Sequence, residues 1–480
     1  MVLLRWIVRS LGFIRTIILA RILVPADFGL VALAMMILGL ADAVTKLRPD
    51  LALIHNTRAE RLHYDTVWTL TVIRGAVMAI VLALLADVCA RFFEEPRLEL
   101  IIYCLAFVTF AEGFQNVGTV DFFKDLRFDR VFVLNFAGRF GSFVVAVAIA
   151  LWWRNYWALI AGFATSRLLT VVLGYVMHDY RPRFALGAWR EILHFSKWLL
   201  LHGIVFNLRR RADTFVIGKW LDATTLGFYD LARTVADLAG ADLVSPLRSV
   251  IFPAYAKIAN DRVRLRQSFI DSFAFIFSIG APIAILTGLV ADPFVKVFLG
   301  SNWIDSIPLI RILVVYALFH MCSATCGATL LALGKTRIMA LGQSIGTIFA
   351  IPLIFLGMHY WAVYGVAWAV VASGALTTCI AIGFVLKELS GKVAMVLRPL
   401  WRSLGALIAM TAAVLWVGEL FTQGEGVIAH SVELLVEGLV GVSVYIAGLL
   451  ALWRLAGMPD GPEKHTIAAV RQSLRPKKSR

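Results

Sequence analysis

Three stretches of the chain carry charges at helical spacing inside otherwise apolar sequence, and any chemistry the chain performs should lie there. Near the N-terminus Arg5, Arg9 and Arg15 fall within about 120° of one another on a helix of ~100° per residue, forming a cationic stripe. In residues 206–218, FNLRRRADTFVIG, Arg209 and Asp213 stand four apart and His202 seven before Arg209. These three share a narrow face while Arg210 and Arg211 turn away from it. Asp230, Arg233 and Asp237 follow at spacings of three and four, and Arg248 returns to their face. An ionisable group at bilayer depth costs about 2.5–3.5 kcal/mol on insertion scales, so each should face water or a partner. Arginine supplies forked donors for the oxygens of an anion. The pattern reads as a polar seam with surplus positive charge turned toward an anionic substrate. Arg9, Arg15, Arg209, Arg210, Arg233 and Arg248 are the expected cavity residues; Asp213, Asp230, Asp237 and His202 are the expected ion-coupling or pairing groups. Plainer roles compete, since Arg5 can snorkel to the headgroups and Arg233 with Asp237 can form a structural pair. Arg74, Asp87, Glu112, Arg139, Arg167 and Arg311 are single charges expected near a membrane face or in local pairs.

Other candidate chemistry is weaker. Cys89, Cys104, Cys322, Cys326 and Cys379 all fall in apolar segments. Their odd number and expected burial point to packing rather than to a disulfide framework or a metal site. Gly334, Lys335 and Thr336 resemble the end of a phosphate-binding loop, but Thr329 stands where that motif needs glycine.

The elements that must hold these charges are membrane helices. The 480 residues are 60% hydrophobic and 16% charged, with a mean hydropathy of +0.81, far more apolar than a soluble domain. The formal charge of +15 is then a cytoplasmic excess of Lys and Arg, not a nucleic-acid surface. A helical span needs about 20 mostly apolar residues, which predicts fourteen segments. They are 3–23, 28–44, 67–90, 98–118, 131–151, 156–178, 193–220, 226–253, 268–291, 307–333, 338–357, 361–386, 400–418 and 433–453. The first is basic then apolar like a signal peptide, yet no small-residue cleavage site follows, so it reads as a helix. Alternate loops, with the C-terminal tail and Arg402 at the start of the thirteenth segment, hold 27 Lys and Arg, against only Arg91, Arg97, Arg154 and Lys296 on the opposite side. Both termini are therefore expected in the cytoplasm.

The chain also repeats itself. ARILVPADFGLVALA (20–34) and GKWLDATTLGFYDLA (218–232) align at an offset of 198, sharing Leu23/Leu221, Gly29/Gly227, Leu33/Leu231 and Ala34/Ala232. Each copy joins two segments, the first to the second and the seventh to the eighth. With six segments between them, the copies enter the membrane in the same sense, as in parallel-repeat transporters. The expected fold is an all-α polytopic membrane protein of about 14 transmembrane helices, with two parallel six-helix repeats forming lobes around a central cleft and two extra C-terminal helices. The lobes are 1–192 and 193–391, followed by two helices in 392–457 and a basic cytoplasmic tail, 458–480.

These stretches resemble a known family. LARILVPADFGLVALAMMIL, RPDLALIHN, the run from Phe195 to Ala232, and SPLRSVIFPAYAKI are similar to the polysaccharide transporters, the Wzx-type flippases, of the multidrug/oligosaccharidyl-lipid/polysaccharide exporter superfamily. The likeness covers roughly residues 10–390. Its family-like positions are Arg21, Pro25, Phe28 and Gly29 in the first copy, Arg210, Asp213, Gly218 and Gly227 in the second, then Arg248 and Pro253. The triple arginine is richer in charge than that segment usually is. The resemblance implies a flippase for undecaprenyl-diphosphate-linked sugar repeat units in the bacterial inner membrane. It also implies two six-helix bundles facing a cleft, no cofactor, a proton or sodium gradient as driver, and a polysaccharide polymerase and chain-length regulator as partners. A cation-coupled multidrug exporter of the same fold is the nearest rival, against which the arginine surplus weighs. A membrane polysaccharide polymerase is the other, but no loop much exceeds about twenty residues, small for a catalytic domain.

Overall fold

The computed structural model describes residues 2–45, 53, 60–125, 127–189, 207–240, 251–421 and 426–458. Helices make up nearly all of it, and no strand occurs among the described residues. In chain order they are α1 (Val2–Ile22), α2 (Pro25–Thr45), α3 (Arg61–Phe92), α4 (Arg97–Gly113), α5 (Phe128–Trp153), α6 (Trp157–Met177), α7 (207–220), α8 (Ala223–Ala239), α9 (Arg262–Leu289) and α10 (Ser306–Ala332). A helical run Thr336–Glu388 follows and breaks at Trp361 and Ala362, where Ala362 takes φ 48°. It is therefore two helices, α11 (336–360) and α12 (363–388). Gly357 and Gly365 meet backbone to backbone across the break, and a Cβ on either would overlap the other's carbonyl. α13 (Trp401–Leu420) and α14 (Val427–Leu455) complete the series.

Among the described residues nine helical runs are long and apolar enough to cross a membrane, Thr336–Glu388 counting as one. A tenth results if Arg97–Gly113 and Val117–Lys124, bent by 72°, form one span. The helices bury apolar side chains on one side and expose them on the other: Met78, Leu82 and Ala86 of α3 are buried, whereas Ile80, Leu84 and Val88 are exposed. A helix apolar on all faces belongs in lipid. The protein is a multi-pass membrane protein. α1 falls outside the nine because arginine recurs at 5, 9, 15 and 21, and α7 and α8 border residues outside those described.

The chain clusters into two compact units, residues 1–230 and 231–480. The first contains the α3–α4 and α5–α6 hairpins, with α1 packed on α5. Gly75 lies against Gly113, and Gly162 against Ala146, where larger residues would hold the helices apart. In the second unit α9, α10, α12, α13 and α14 share a core that includes Phe269, Phe273, Cys322, Cys326, Val385, Met410 and Tyr445. Polar ties cross this core: Tyr445 donates to the Ser278 carbonyl at 2.7 Å, and the Ser278 and Ser403 hydroxyls lie 2.8 Å apart. The division falls inside α8. The physical reason is that α7 and the first turns of α8 pack on α2, so contact groups them with the first unit.

Candidate functional site

The two copies of the repeated turn are built alike. α1 ends at Ile22 and α2 begins at Pro25; α7 ends at residue 220 and α8 begins at Ala223. Both helix breaks are thus displaced by the 198 residues that separate the copies in sequence. Pro25 suits the first helical position, where its missing N–H would have no partner. The closing hydrogen bonds match as well, Leu23 N to Leu19 O at 2.8 Å and Leu221 N to Ile217 O at 2.9 Å. An aspartate stands at each new helix start, though not at equivalent positions: Asp27 Oδ2, in the first turn of α2, accepts from Val24 N at 3.4 Å, and Asp222 Oδ1, just before α8, accepts from the Thr225 hydroxyl at 2.5 Å.

The copies then meet. A Cβ on Gly29 would overlap the carbonyl of Ala223, and one on Gly227 would overlap the carbonyl of Pro25. Because 29 pairs with 227 and 25 with 223 in the repeat, this contact is reciprocal, as in a twofold interface. Both glycines lie within the helices that follow the turns. Neither has a positive φ, and their function is to let α2 and α8 cross backbone to backbone. Leu33 fills the space over Gly218, and the Arg211 guanidinium lies over Gly39, its Nε 3.1 Å from where a Cβ would stand. Lys219, which aligns with Arg21, secures the end of α7. Its Nζ donates to the Phe92 carbonyl at 2.7 Å, pairs with Glu94 at 3.0 Å and sits 4.9 Å from the Phe92 ring centroid.

Arg15 of α1 donates from Nη1 to the Ser142 hydroxyl on α5 at 2.6 Å, while its Nε is buried without a hydrogen-bond partner. The nearby charge is that of another cation, Arg139. Arg15 therefore does not pair with Asp213, its equivalent in the repeat. Asp213 is 2% exposed; its Oδ1 accepts from Thr214 N at 2.8 Å and its Oδ2 from the Tyr229 hydroxyl of α8 at 2.7 Å. This carboxylate is a buried anchor between α7 and α8. Arg9 and Arg209 are half-buried and Arg210 is exposed. Asp230, Arg233 and Asp237 are all half-exposed, whereas Leu226, Tyr229, Ala232, Val235, Ala236 and Ala239 are buried. The charges of α8 thus occupy one stripe, as their spacing predicts. The Arg233 guanidinium stands 6.0 Å from the ring centroid of Tyr316 on α10, within reach of a cation–π contact. His202 and Arg248 lie outside the described residues.

Of the single charges, Arg74 pairs with Asp42, Arg91 with Asp87 at 2.7 Å and Arg167 with Glu112 at 2.7 Å. The sequence did not single out Tyr229, which is sixteen residues from its partner across a turn. Nor did it place Arg139 beside Arg15; a serine and an arginine three apart on another helix are no signal until the helices pack.

Comparison with known proteins agrees with this architecture. Residues 18–308 match the family described as "Polysaccharide biosynthesis protein". The chain is 27% identical over 391 residues to the lipopolysaccharide biosynthesis protein WzxC of Escherichia coli (strain K12), covering 80% of this chain and 79% of that one. Among solved structures it resembles the lipid II flippase MurJ in an inward closed conformation, with a TM-score of 0.75 and 13% identity over 94% of this chain and 98% of that one. It also resembles an inward-facing multidrug resistance MATE transporter of the MOP superfamily, with a TM-score of 0.64 and 14% identity over 81% and 98%. At such identities the structural likeness establishes the fold. The sequence match extends over more than half of the chain, and the chain accordingly belongs to the polysaccharide biosynthesis protein family, on the fold shared by MurJ and the MATE transporters.

Proposed function

We propose that the protein is a flippase that carries a polyprenyl-diphosphate-linked oligosaccharide from the cytoplasmic to the periplasmic leaflet of the bacterial inner membrane, for assembly of a surface polysaccharide. The observation that carries this reading is uncompensated positive charge: Arg15 leaves a buried Nε without a partner, and the charge acting on it is that of Arg139. A half-buried guanidinium with a buried free donor, and no carboxylate partner among the described residues, suits an incoming anion, and a diphosphate presents the oxygens that its fork can grip. The similarity to proteins named for lipopolysaccharide biosynthesis and for flipping lipid II supports the same substrate class.

In this reading the lobes are 1–192 and 193–391, both termini are cytoplasmic, and transport proceeds by alternating access. The crossing of α2 and α8 at Gly29 and Gly227 suits a pivot, since it joins equivalent helices at one close contact. The sugars and diphosphate pass between the lobes while the polyprenyl chain stays in lipid. An ion gradient drives the cycle; Asp237, half-exposed on the α8 stripe, is better placed to exchange an ion with water than the enclosed Asp213. A polymerase and a chain-length regulator act on the product.

Deleting the protein is expected to leave lipid-linked repeat units on the cytoplasmic leaflet, read by enzymatic or labelling access from that side. Restoring it with Arg15→Ala, Arg209→Ala, Arg210→Ala or Arg233→Ala is expected to insert normally and export less polymer. Full export by all four variants would overturn the cavity assignment, and lipid intermediates found only on the periplasmic side of the deletion strain would overturn flipping itself.

A further inference from the structure

α14 is apolar along most of its length, but one face near its start carries titratable groups. His430, Glu433 and Glu437 follow at i, i+3 and i+7, so they line one side of the helix. At 1.5 Å per residue Glu437 lies about 10 Å farther along the span than His430. The first two touch, with His430 Nδ1 3.0 Å from Glu433 Oε2. One turn deeper, Glu437 is 5% exposed. Its Oε1 lies against α13, 2.8 Å from where a Cβ on Gly418 would stand, and its Oε2 is buried with no hydrogen-bond partner.

Residues 291–299, α9 and α13 pack on α14. The first brings Asp292, bound to Lys296 at 2.6 Å. α9 brings no ionisable side chain from 272 to 289, and Glu419 of α13 is exposed. The charges that act on Glu437 are those of Glu433, Asp292 and, from α10, Arg311. Three carboxylates, Asp292, Glu433 and Glu437, thus face two permanent cations, Lys296 and Arg311, and Lys296 is already held by Asp292. Among the described residues Glu437 forms no ion pair. A buried carboxylate oxygen without a donor is costly, and a group in that position discharges by taking up a proton. A metal ion would need more ligands than are gathered here: among the described residues no three His, Cys, Asp or Glu side chains are placed to hold one.

We propose that Glu437 is a proton-binding site, loaded from the N-terminal end of α14 through His430 and Glu433. A proton taken from water by the imidazole or by Glu433 passes one helical turn inward to the Glu437 carboxylate, which becomes a neutral carboxyl group; release runs the same path in reverse. The site lies on the α13–α14 pair, which the twelve-helix repeat leaves unexplained. Proton binding itself does not depend on the flippase reading, whereas its use to regulate or drive transport does.

Infrared difference spectra of the full chain in nanodiscs, taken between acid and alkaline pH, read protonated buried carboxyl groups directly. The wild type is expected to show a carboxyl band that comes and goes with pH. The isosteric Glu437→Gln variant, checked as monodisperse by size exclusion, is expected to lose it, and Glu433→Gln to keep it with a slower response. A band unchanged in Glu437→Gln, or one that follows sodium at constant pH, would overturn the site. In proteoliposomes carrying a lipid-linked oligosaccharide, the wild-type rate is expected to change several-fold across the pH range of that band, and the Glu437→Gln rate to stay flat. A flat wild-type profile would overturn the coupling. No flipping by a wild type that still shows the band would count against the flippase reading while leaving the proton site standing.

Discussion

Asp213 and Tyr229 are the clearest case of one hydrogen bond fixing how two helices sit. Both are buried, and the phenol donates to the carboxylate across the α7–α8 turn. Tyr229→Phe keeps the ring and removes the donor, so the cost is that of a carboxylate losing a partner, about 1–3 kcal/mol. Thermal unfolding in detergent is expected to show the loss as a lowered Tm. Arg210 offers the contrast. It is exposed, so Arg210→Ala is expected to change stability by no more than about 0.5 kcal/mol while reducing polymer export, if its charge serves the substrate. The two variants therefore separate holding the fold from handling cargo, although the residues lie in the same repeat copy.

Among the elements, the crossing of α2 and α8 is the most exacting contact. Gly29→Ala or Gly227→Ala would place a methyl group inside a carbonyl of the opposite helix. No side-chain rotation relieves that overlap, so the helices must move apart, at a cost typical of overpacking, about 1–3 kcal/mol, and with loss of the reciprocal contact. Gly12 of α1 is the control: nothing lies within 4 Å of its would-be Cβ. Gly12→Ala is expected to be neutral or to stabilise by up to about 1 kcal/mol through helix propensity. Equal unfolding temperatures for Gly12→Ala and Gly29→Ala would show that the close approach has no energetic consequence. The glycines were legible in the sequence as matched positions, but not their task, because a glycine in a turn and a glycine at a helix crossing leave the same letter.

For the whole molecule, the alternation of loop charge is the feature with the widest reach. Reporter fusions at residue 1 and after residue 480 are expected to be active on the cytoplasmic side, and a reporter in the loop holding Arg154 on the other. A periplasmic signal from either terminus would break the alternation and with it the parallel sense of the repeat. The two compact units add something the charges cannot reveal. Their boundary lies in α8, because the second copy of the turn folds against the first.

Much of this architecture was legible in the sequence for a simple reason. Lipid cannot satisfy open backbone groups, so apolar runs become helices wherever they occur, and Pro25 with its two-residue turn marks the α1–α2 break without help from the rest of the chain. The repeat offset of 198 likewise fell on both helix breaks. The charged stripe of α8 followed from spacing, since residues at i, i+3 and i+7 share a face in any helix. Contacts between helices were a different matter. That Arg15 reaches Ser142, that Asp213 is enclosed by Tyr229, and that Glu437 keeps an unpartnered oxygen against Gly418 depend on which faces meet and at what depth. Glu437 did carry a signal, a second carboxylate one turn inside an apolar span, but its meaning came from the helices packed around it. Periodicity determines the face on which a side chain stands; only tertiary packing decides what stands opposite, and for a charge removed from water that neighbour decides between anchor, anion site and proton site.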